Sequence, residues 1–286
     1  MSIEATLVGD YQADWGEGPI WHDNHLLYVD IEGRRVIDFD PASGVENIIE
    51  ASERVGTVVP RQEGGLVIAG DNGFSFLDPA SSKVTPIADP EPDKKPGNRF
   101  NDGKCDPAGR FWAGTISTVK KTGEAALYML DTDRQVHLKY PNVTNSNGLC
   151  WTEDTKTFYY IDTPSKKVRA FDFDNASGEI GNERIAIDTS HIDSSPDGMA
   201  IDSAGNLWIA FCRGSMVLCF DPNTGKDLEK IPLPVTGVTA CAFGGPELKS
   251  LYITTGQFKN QTEENAGRLF VAEPGIAGLP SFAYAG

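Results

Sequence analysis

Four polar side chains recur at the same place in a repeated sequence pattern. Each stands directly before a glycine, and the four dipeptides are Glu17-Gly18, Asp102-Gly103, Asn147-Gly148 and Asp197-Gly198. After each glycine come a short apolar segment, a polar turn and a second segment rich in aromatic and β-branched residues. Equivalent positions of a closed repeat lie on one ring, so the four side chains would meet near a common axis. Because carboxylate and amide oxygens are the donors that hard divalent cations prefer, the pattern predicts a metal site.

Each of these dipeptides, taken alone, is also typical of a tight turn, because Asp, Asn and Gly all favour turn conformations. Their shared register favours the other interpretation. A turn role does not by itself explain why all four precede the innermost strand of their unit, where loops point into a central channel. We therefore expect a metal or substrate site at the mouth of that channel.

Two more polar residues stand just before the second dipeptide. Arg99 and Asn101 alternate in an extended segment, so we expect them to project on one side, upstream of the ligand ring. Arginine supplies a forked donor that is always charged, and asparagine supplies both a donor and an acceptor. The pair suits a polyhydroxylated or carboxylated small molecule bound over the cation.

The elements that position these residues follow from the repeat. Two further segments, 58–70 and 240–254, share the pattern without its polar residue, which brings the number of units to six. Each unit is about 42 to 50 residues long and accommodates four short antiparallel strands, the content of a propeller blade. We expect each glycine to open the innermost strand, and Asp-Pro or glycine turns to join the third strand to the fourth. No apolar period of 3.6 residues is sustained, so helix should be scarce.

These features together predict an all-β fold. The expected architecture is a six-bladed β-propeller with four antiparallel strands per blade, and residues 1–286 are expected to form it as a single domain.

Composition and charge exclude several classes of partner. A formal net charge of -16 disfavours nucleic acid and anionic membrane surfaces, which require clustered Lys and Arg. The sequence contains no apolar stretch long enough to span a bilayer and no signal peptide at its start, so we expect a cytoplasmic protein. The five cysteines show no CxxC spacing and are expected to be small apolar residues of the strands. No protein partner is implied.

Several blocks of the chain resemble the SMP-30/gluconolactonase/regucalcin-like family in order and spacing. The similarity extends from about residue 7 to the C-terminus, and the blocks that carry it are Gly16–Trp21, Asn98–Lys104, Ser146–Leu149, Tyr159–Asp162, Pro196–Gly198 and Cys241–Gly245. The resemblance implies a six-bladed propeller that holds one divalent cation in its channel and acts on sugar lactones.

The resemblance also implies roles for individual residues. Glu17, Asn147 and Asp197 match the metal ligands, Arg99 and Asn101 match the substrate-contacting pair, and Asp197 matches the proposed base. Asp102 matches an acidic residue beside the site whose part is less defined. The oxygen-only ligand set suits Ca²⁺ first, although Zn²⁺, Mn²⁺ or Mg²⁺ can be accommodated.

The predicted activity is hydrolysis of a sugar lactone, in which the cation polarises the carbonyl group and Asp197 accepts a proton from the attacking water. Two alternatives stay open: a phosphotriesterase-like hydrolase on the same scaffold, and a non-enzymatic calcium-binding protein. The chain departs from the animal regucalcins after the Ala113-Gly114-Thr115 strand. That loop is shorter here and places Ser117, Thr118 or Val119 where those proteins carry an acidic substrate-contacting residue, so substrate choice is not carried over.

Overall fold

Six four-stranded antiparallel sheets form the molecule, as the sequence predicts. The computed structural model describes residues 3–260 and 262–286. Within those residues the fold is a six-bladed β-propeller with four strands per blade, and helix is confined to short 3₁₀ turns at Pro92–Lys94, Thr163–Ser165 and Pro246–Leu248.

The strands follow one another along the chain with short connections. In chain order they are β1 (Ala5–Val8), β2 (Gly16–His22), β3 (His25–Asp30), β4 (Arg35–Asp40), β5 (Val45–Glu50), β6 (Val55–Pro60), β7 (Leu66–Gly70), β8 (Gly73–Asp78), β9 (Lys83–Ala88), β10 (Asn98–Cys105), β11 (Phe111–Ser117), β12 (Ala125–Leu130), β13 (Val136–Val143), β14 (Ser146–Trp151), β15 (Thr157–Asp162), β16 (Lys167–Asp174), β17 (Glu179–Asp188), β18 (Ser195–Ile201), β19 (Leu207–Cys212), β20 (Met216–Asp221), β21 (Lys226–Pro232), β22 (Val238–Gly244), β23 (Ser250–Thr255) and β24 (Leu269–Ala272).

Blades 1 to 5 each consist of four consecutive strands, from β2–β5 to β18–β21. The innermost strands β2, β6, β10, β14, β18 and β22 contact one another in that cyclic order and surround the central channel. They are almost entirely buried, whereas the outermost strands are largely exposed. We call the end where the inner strands begin the upper end of the channel, and the end where they finish the lower end.

The N-terminal strand closes the ring. Blade 6 has the strand order β1-β24-β23-β22, so β1 supplies its outermost strand and pairs with β24 from Ala5↔Ala272 to Val8↔Leu269. The sequence repeat predicts only the two inner strands of this blade. The first and last strands of the chain are thereby held in one sheet.

Turns between the third and fourth strands have the chemistry that the sequence predicts. In the first blade Gly44 donates to the Asp40 carbonyl at 2.8 Å, and the Asp40 carboxylate accepts the Ala42 N–H at 2.9 Å. Asp174 and Asp221 do the same in blades 4 and 5. Aromatic side chains pack between blades, for example Trp112 against Phe158 with ring centroids 5.2 Å apart. No helix in the described part of the chain is long and apolar enough to cross a membrane.

The C-terminal segment, residues 276–286, runs across the lower end of the channel. It is tied to blade 5 by Leu279 N–H donating to the Ile201 carbonyl at 3.2 Å. It is tied to blade 2 by Tyr284 N–H donating to the Pro60 carbonyl at 2.8 Å, and to blade 3 by Ala285. The Ser281 hydroxyl donates to the Trp21 carbonyl of blade 1. This segment therefore covers the lower face of several blades.

Candidate metal and substrate site

The repeated polar residues lie in β-bulges of the innermost strands. In β2 the pairing passes from Glu17↔Val29 to Ile20↔Leu27, which leaves one extra residue on the inner strand. The other five inner strands carry the same one-residue shift. A bulge breaks the strict alternation of side chains and re-aims the bulged residue, which turns the polar side chain toward the channel.

The expectation that each glycine opens its strand is wrong. The inner strands begin earlier, β2 at Gly16, β14 at Ser146 and β18 at Ser195, so the dipeptides lie inside strands. Two of the glycines, Gly148 and Gly198, are required for close packing between blades. A Cβ on Gly198 would lie 2.3 Å from the Cβ of Ala240 in the next blade, well inside van der Waals contact.

Aspartates at the ends of second strands hold the loops that lead into the site. Asp30 accepts the Trp15 and Asp14 N–H groups at 3.0 Å each, and these residues precede β2. Asp162 accepts the Asn145 N–H at 2.9 Å just before β14. The conformation of the chain entering each inner strand is therefore fixed by its own blade.

Three carboxyl groups converge at the upper end of the channel. Burial, together with the neighbouring Asp102, raises the pKa of Glu17 from 4.5 to about 8. Burial, followed by Glu17 and Asp102, holds the pKa of Asp197 well above its usual range. The pKa of Asp102 is also raised by burial, and Lys104 acts in the opposite direction. The structure thus brings Glu17, Asp102 and Asp197 together as a set of mutually repelling, buried acids.

Asn147 completes this set, and its amide is held from both sides. Its Nδ2 donates to Thr163 Oγ1 at 2.8 Å, and Thr163 Oγ1 donates to the Pro196 carbonyl at 2.8 Å. Its Oδ1 accepts from Asn101 Nδ2 at 3.2 Å. Nitrogen and oxygen of the amide are therefore assigned by separate partners, and one lone pair of Oδ1 stays available to a cation. Thr163 could not be predicted from the sequence, since no repeated pattern marks it.

Arg99 and Asn101 lie beside the carboxyl set and contact each other. Arg99 Nη1 donates to Asn101 Oδ1 at 2.9 Å, which confirms that the two side chains project on one side. Asn101 also contacts the candidate ligand Asn147. Its Nδ2 donates to Asn147 Oδ1 and, at 2.8 Å, to the Ser146 carbonyl of β14. Arg99 Nε is buried and has no hydrogen-bond partner among the described residues.

Cys212 is a further neighbour that the sequence did not single out. It ends β19 opposite Ser195, and its thiol lies beside the Asp197 carboxyl, where it lowers the pKa of that acid. Burial, followed by Asp197, raises the pKa of the thiol itself. The sulfur is therefore protonated at neutral pH, and it acts as a weak donor rather than as a soft metal ligand.

The donor set fits a hard divalent cation. Glu17 Oε2 and Asp102 Oδ1 each accept the N–H of the following glycine, so each carboxylate has its second oxygen left for a ligand. Within the described residues no three His, Cys, Asp or Glu side chains form a metal cluster by themselves, so a cation here depends on the Asn147 amide as well. The two positive charges of such a cation would offset the mutual repulsion of the buried acids.

The loop that follows β11 turns back on itself. The Lys121 N–H donates to Ser117 Oγ at 3.1 Å, and Thr118 Oγ1 donates to the Gly97 carbonyl at 3.0 Å. The Val119 side chain is 63% exposed. None of Ser117, Thr118 and Val119 carries a carboxylate, so these residues supply none at the upper end of the channel.

Comparisons with known proteins agree with this architecture. The profile of the SMP-30/Gluconolactonase/LRE-like region matches residues 15–257. A protein named Regucalcin from Danio rerio is 41% identical over 295 residues, covering 100% of this chain and 99% of the relative. A Bacillus subtilis protein named "Putative sugar lactone lactonase YvrE" is 35% identical over 291 residues, covering 99% of both chains. Among solved structures, a luciferin-regenerating enzyme superposes with a TM-score of 0.91 at 26% identity, covering 99% of this chain and 100% of that one.

Proposed function

Since the chain belongs to the SMP-30/gluconolactonase/LRE-like family, we propose that it is a divalent-metal-dependent hydrolase that opens sugar lactones to hydroxy acids. The observation that carries the proposal is the set of Glu17, Asn147 and Asp197 beside Arg99 at one end of the channel. The name of the Bacillus subtilis relative supports a lactone as the substrate class.

Glu17, Asn147 and Asp197 would hold the cation, and Asp102 would lie beside them. A cation held by two carboxylates and one amide would act as a Lewis acid on the lactone carbonyl. Oxygen donors of this kind favour Ca²⁺, with Mn²⁺, Mg²⁺ and Zn²⁺ as further candidates. The amide orientation set by Thr163 keeps an oxygen of Asn147 directed at this position.

Asp197 would act as the general base. Its burial disfavours the charged form, so its carboxylate is a stronger proton acceptor than an exposed aspartate. It would accept a proton from the water that attacks the carbonyl carbon. The ring C–O bond then breaks, and the proton passes to the departing ring oxygen to give an open hydroxy acid.

Arg99 would orient the substrate. Its guanidinium lies beside the carboxyl set, where it could donate to ring hydroxyls or to the carbonyl. Asn101 has both ends of its amide engaged by Arg99 and Asn147. Its contribution to substrate recognition would therefore pass largely through the position of Arg99.

A panel assay tests the proposal. The metal-stripped protein is assayed with a pH indicator against a set of aldonolactones and a set of organophosphate esters, and each cation is restored in turn. We expect lactone hydrolysis that requires the cation and at most weak turnover of the esters. Preferential turnover of the esters would instead indicate a phosphotriesterase. Cation binding without turnover of either set would indicate a binding protein.

A further inference from the structure

A separate cavity occupies the lower end of the channel. Its volume is about 220 Å³, and it is lined by the ends of five inner strands and by Leu279–Phe282 of the C-terminal segment. The largest lining side chains are Trp21, Trp151, Phe243 and Phe282. The cavity is therefore mainly apolar, in contrast to the carboxyl set at the upper end. The proposed lactone reaction does not use it.

Lys104 separates the two ends of the channel. It lies on β10 of blade 3, and its Nζ donates to the Met199 carbonyl on β18 of blade 5. Because blade 4 lies between these blades, the side chain reaches across the channel. Lys104 has Asp102 as a neighbour on the upper side and lines the cavity on the lower side. An ammonium group has three donors, so two remain after the bond to Met199.

The indole N–H of Trp151 does not contribute a donor to the cavity. Trp151 lines the cavity, and its buried indole N–H has no hydrogen-bond partner among the described residues. Because this nitrogen is itself inaccessible to solvent, it does not face the cavity, and the Trp151 ring presents an apolar surface to the cavity. By contrast, the indole N–H groups of Trp112 and Trp208 are satisfied by Asp106 and Asp202.

We propose that the lower cavity binds a small aromatic monocarboxylic acid. The ring would pack among Trp21, Trp151 and Phe243, and the carboxylate would accept from Lys104. The volume lies below the roughly 300 to 1,000 Å³ of drug-sized sites, which limits the ligand to one or two rings. A sugar or an aldonic acid fits less well, because most of the lining is apolar and only Thr152, Glu153, Thr155 and Ser281 are neutral or acidic polar residues that could pair with its hydroxyl groups.

Isothermal titration of the full-length protein with 2-naphthoate tests this site, and naphthalene-2-carboxamide serves as the uncharged control. We expect the carboxylate to bind. The carboxamide should bind at least about tenfold more weakly, because a charge-assisted hydrogen bond to Lys104 is lost. Lys104→Met keeps an apolar stem of similar length and should weaken naphthoate about tenfold or more. Arg99→Met is the matched control, since it removes a cation at the upper end and should leave naphthoate affinity unchanged.

Two results would overturn the proposal. One is the absence of naphthoate binding at millimolar concentrations, and the other is a loss of affinity in Arg99→Met rather than in Lys104→Met. Phe282→Ala provides an independent variant should Lys104→Met not fold, because Phe282 is 36% exposed and its removal leaves the blades intact. It should weaken the carboxylate and the carboxamide to the same degree, and unchanged affinity for both would contradict the assignment. Metal and lactone are absent from this titration, so its outcome is independent of the proposed lactone hydrolysis.

Discussion

Asn147 can present either an oxygen or a nitrogen to a cation, unlike the carboxylates beside it. The choice depends on its neighbours. Thr163 Oγ1 accepts the amide N–H at 2.8 Å, and the same hydroxyl gives its own proton to the Pro196 carbonyl at 2.8 Å. Thr163 therefore acts only as an acceptor toward Asn147, and a flipped amide would place two oxygens against each other. Through Pro196 the same hydroxyl links Asn147 to the strand segment that carries Asp197.

Replacing this hydroxyl should lower cation affinity without removing a ligand. Thr163→Val has nearly the same shape but leaves the Asn147 N–H unpaired, so we expect about a tenfold weaker Kd for Ca²⁺. Thr163→Ser keeps the hydroxyl and should bind Ca²⁺ as the parent does. Isothermal titration of both variants measures this. Equal affinities in Thr163→Val and Thr163→Ser would show that the hydroxyl does not set the amide orientation.

The buried acids also predict how cation binding depends on pH. The pKa of Glu17 is raised from 4.5 to about 8, so the folded, metal-free protein binds a proton that the unfolded chain has released over this interval. The free energy of unfolding should therefore fall as the pH rises from about 4.5 to 8, and a cation must displace the proton. Apparent Ca²⁺ affinity should rise between pH 6 and 8, by up to about tenfold per pH unit for each proton released.

Two variants show which residues cause the pH dependence of Ca²⁺ affinity. Glu17→Gln removes a titrating group and should flatten the dependence, while Asn147→Ala keeps all three acids and should retain the slope at lower affinity. Titrations in buffers of different ionisation enthalpy count the protons released. A Kd that is constant from pH 6 to 8 in the parent would contradict the inference that these acids are protonated in the metal-free protein.

The sequence predicts those site residues that recur at one position of the repeat, but it does not predict contacts between blades. Glu17, Asp102, Asn147 and Asp197 share one position of the repeat, and the structure brings them together. Thr163 and Lys104 act across blades, through Pro196 and Met199. Such contacts depend on how neighbouring blades are placed, and no spacing in one chain segment encodes that. The contact of Asn101 with Asn147 depends on the placement of neighbouring blades in the same way.

At the scale of the strands, the hairpins between the first and second strands of blades 3 and 5 each contain a buried aspartate, but the side chains that donate hydrogen bonds to it differ. In blade 3 the turn aspartate, Asp106, is fully buried and accepts from Arg110 Nε at 2.6 Å and from Trp112 Nε1 at 2.9 Å. In blade 5 the equivalent Asp202 accepts from Asn206 Nδ2 and from Trp208 Nε1, both at 3.0 Å. The turn aspartate is therefore paired with a charged arginine in blade 3 and with a neutral asparagine in blade 5.

These two turns should respond differently to loss of the donor. Arg110→Ala leaves a buried carboxylate without its cation, and we expect the free energy of unfolding to fall by about 3 to 5 kcal/mol. Asn206→Ala removes one hydrogen bond from a neutral donor to a carboxylate and should cost about 1.5 to 3 kcal/mol. Chemical denaturation of both variants measures the difference. Equal losses would mean that the Arg110 charge is not needed to stabilise Asp106.

The strands also show where a sequence pattern misleads. The period of the repeat and the turns after Asp40, Asp174 and Asp221 were predicted correctly. The dipeptides such as Asp197-Gly198 resemble turns, yet they lie inside strands, at bulges. Polar residues followed by glycine occur at bulges as well as in turns, and Gly198 is required by the approach of Ala240 from the next blade.

At the scale of the whole molecule, the site and the core are nearly independent. The apolar core lies within and between blades, whereas the carboxyl set occupies only the upper end of the channel. Ring closure is supplied by β1 and the lower face is covered by the C-terminal segment, neither of which touches that set. Saturating cation should therefore add only the binding free energy, about 3 kcal/mol at one hundred times its Kd, and chelation should leave the propeller folded.

Lactone hydrolysis across a cation titration, measured together with cation occupancy, tests the central claim most directly. The parent protein should be inactive without cation and gain activity in step with occupancy. Asn147→Ala should need more cation but recover most of the parental rate, because mass action restores occupancy while Asp197 remains as the base. Asp197→Asn should stay at least about a hundredfold slower at full occupancy. Near-parental rates for Asp197→Asn at full occupancy, or full activity of the chelated parent, would contradict the account.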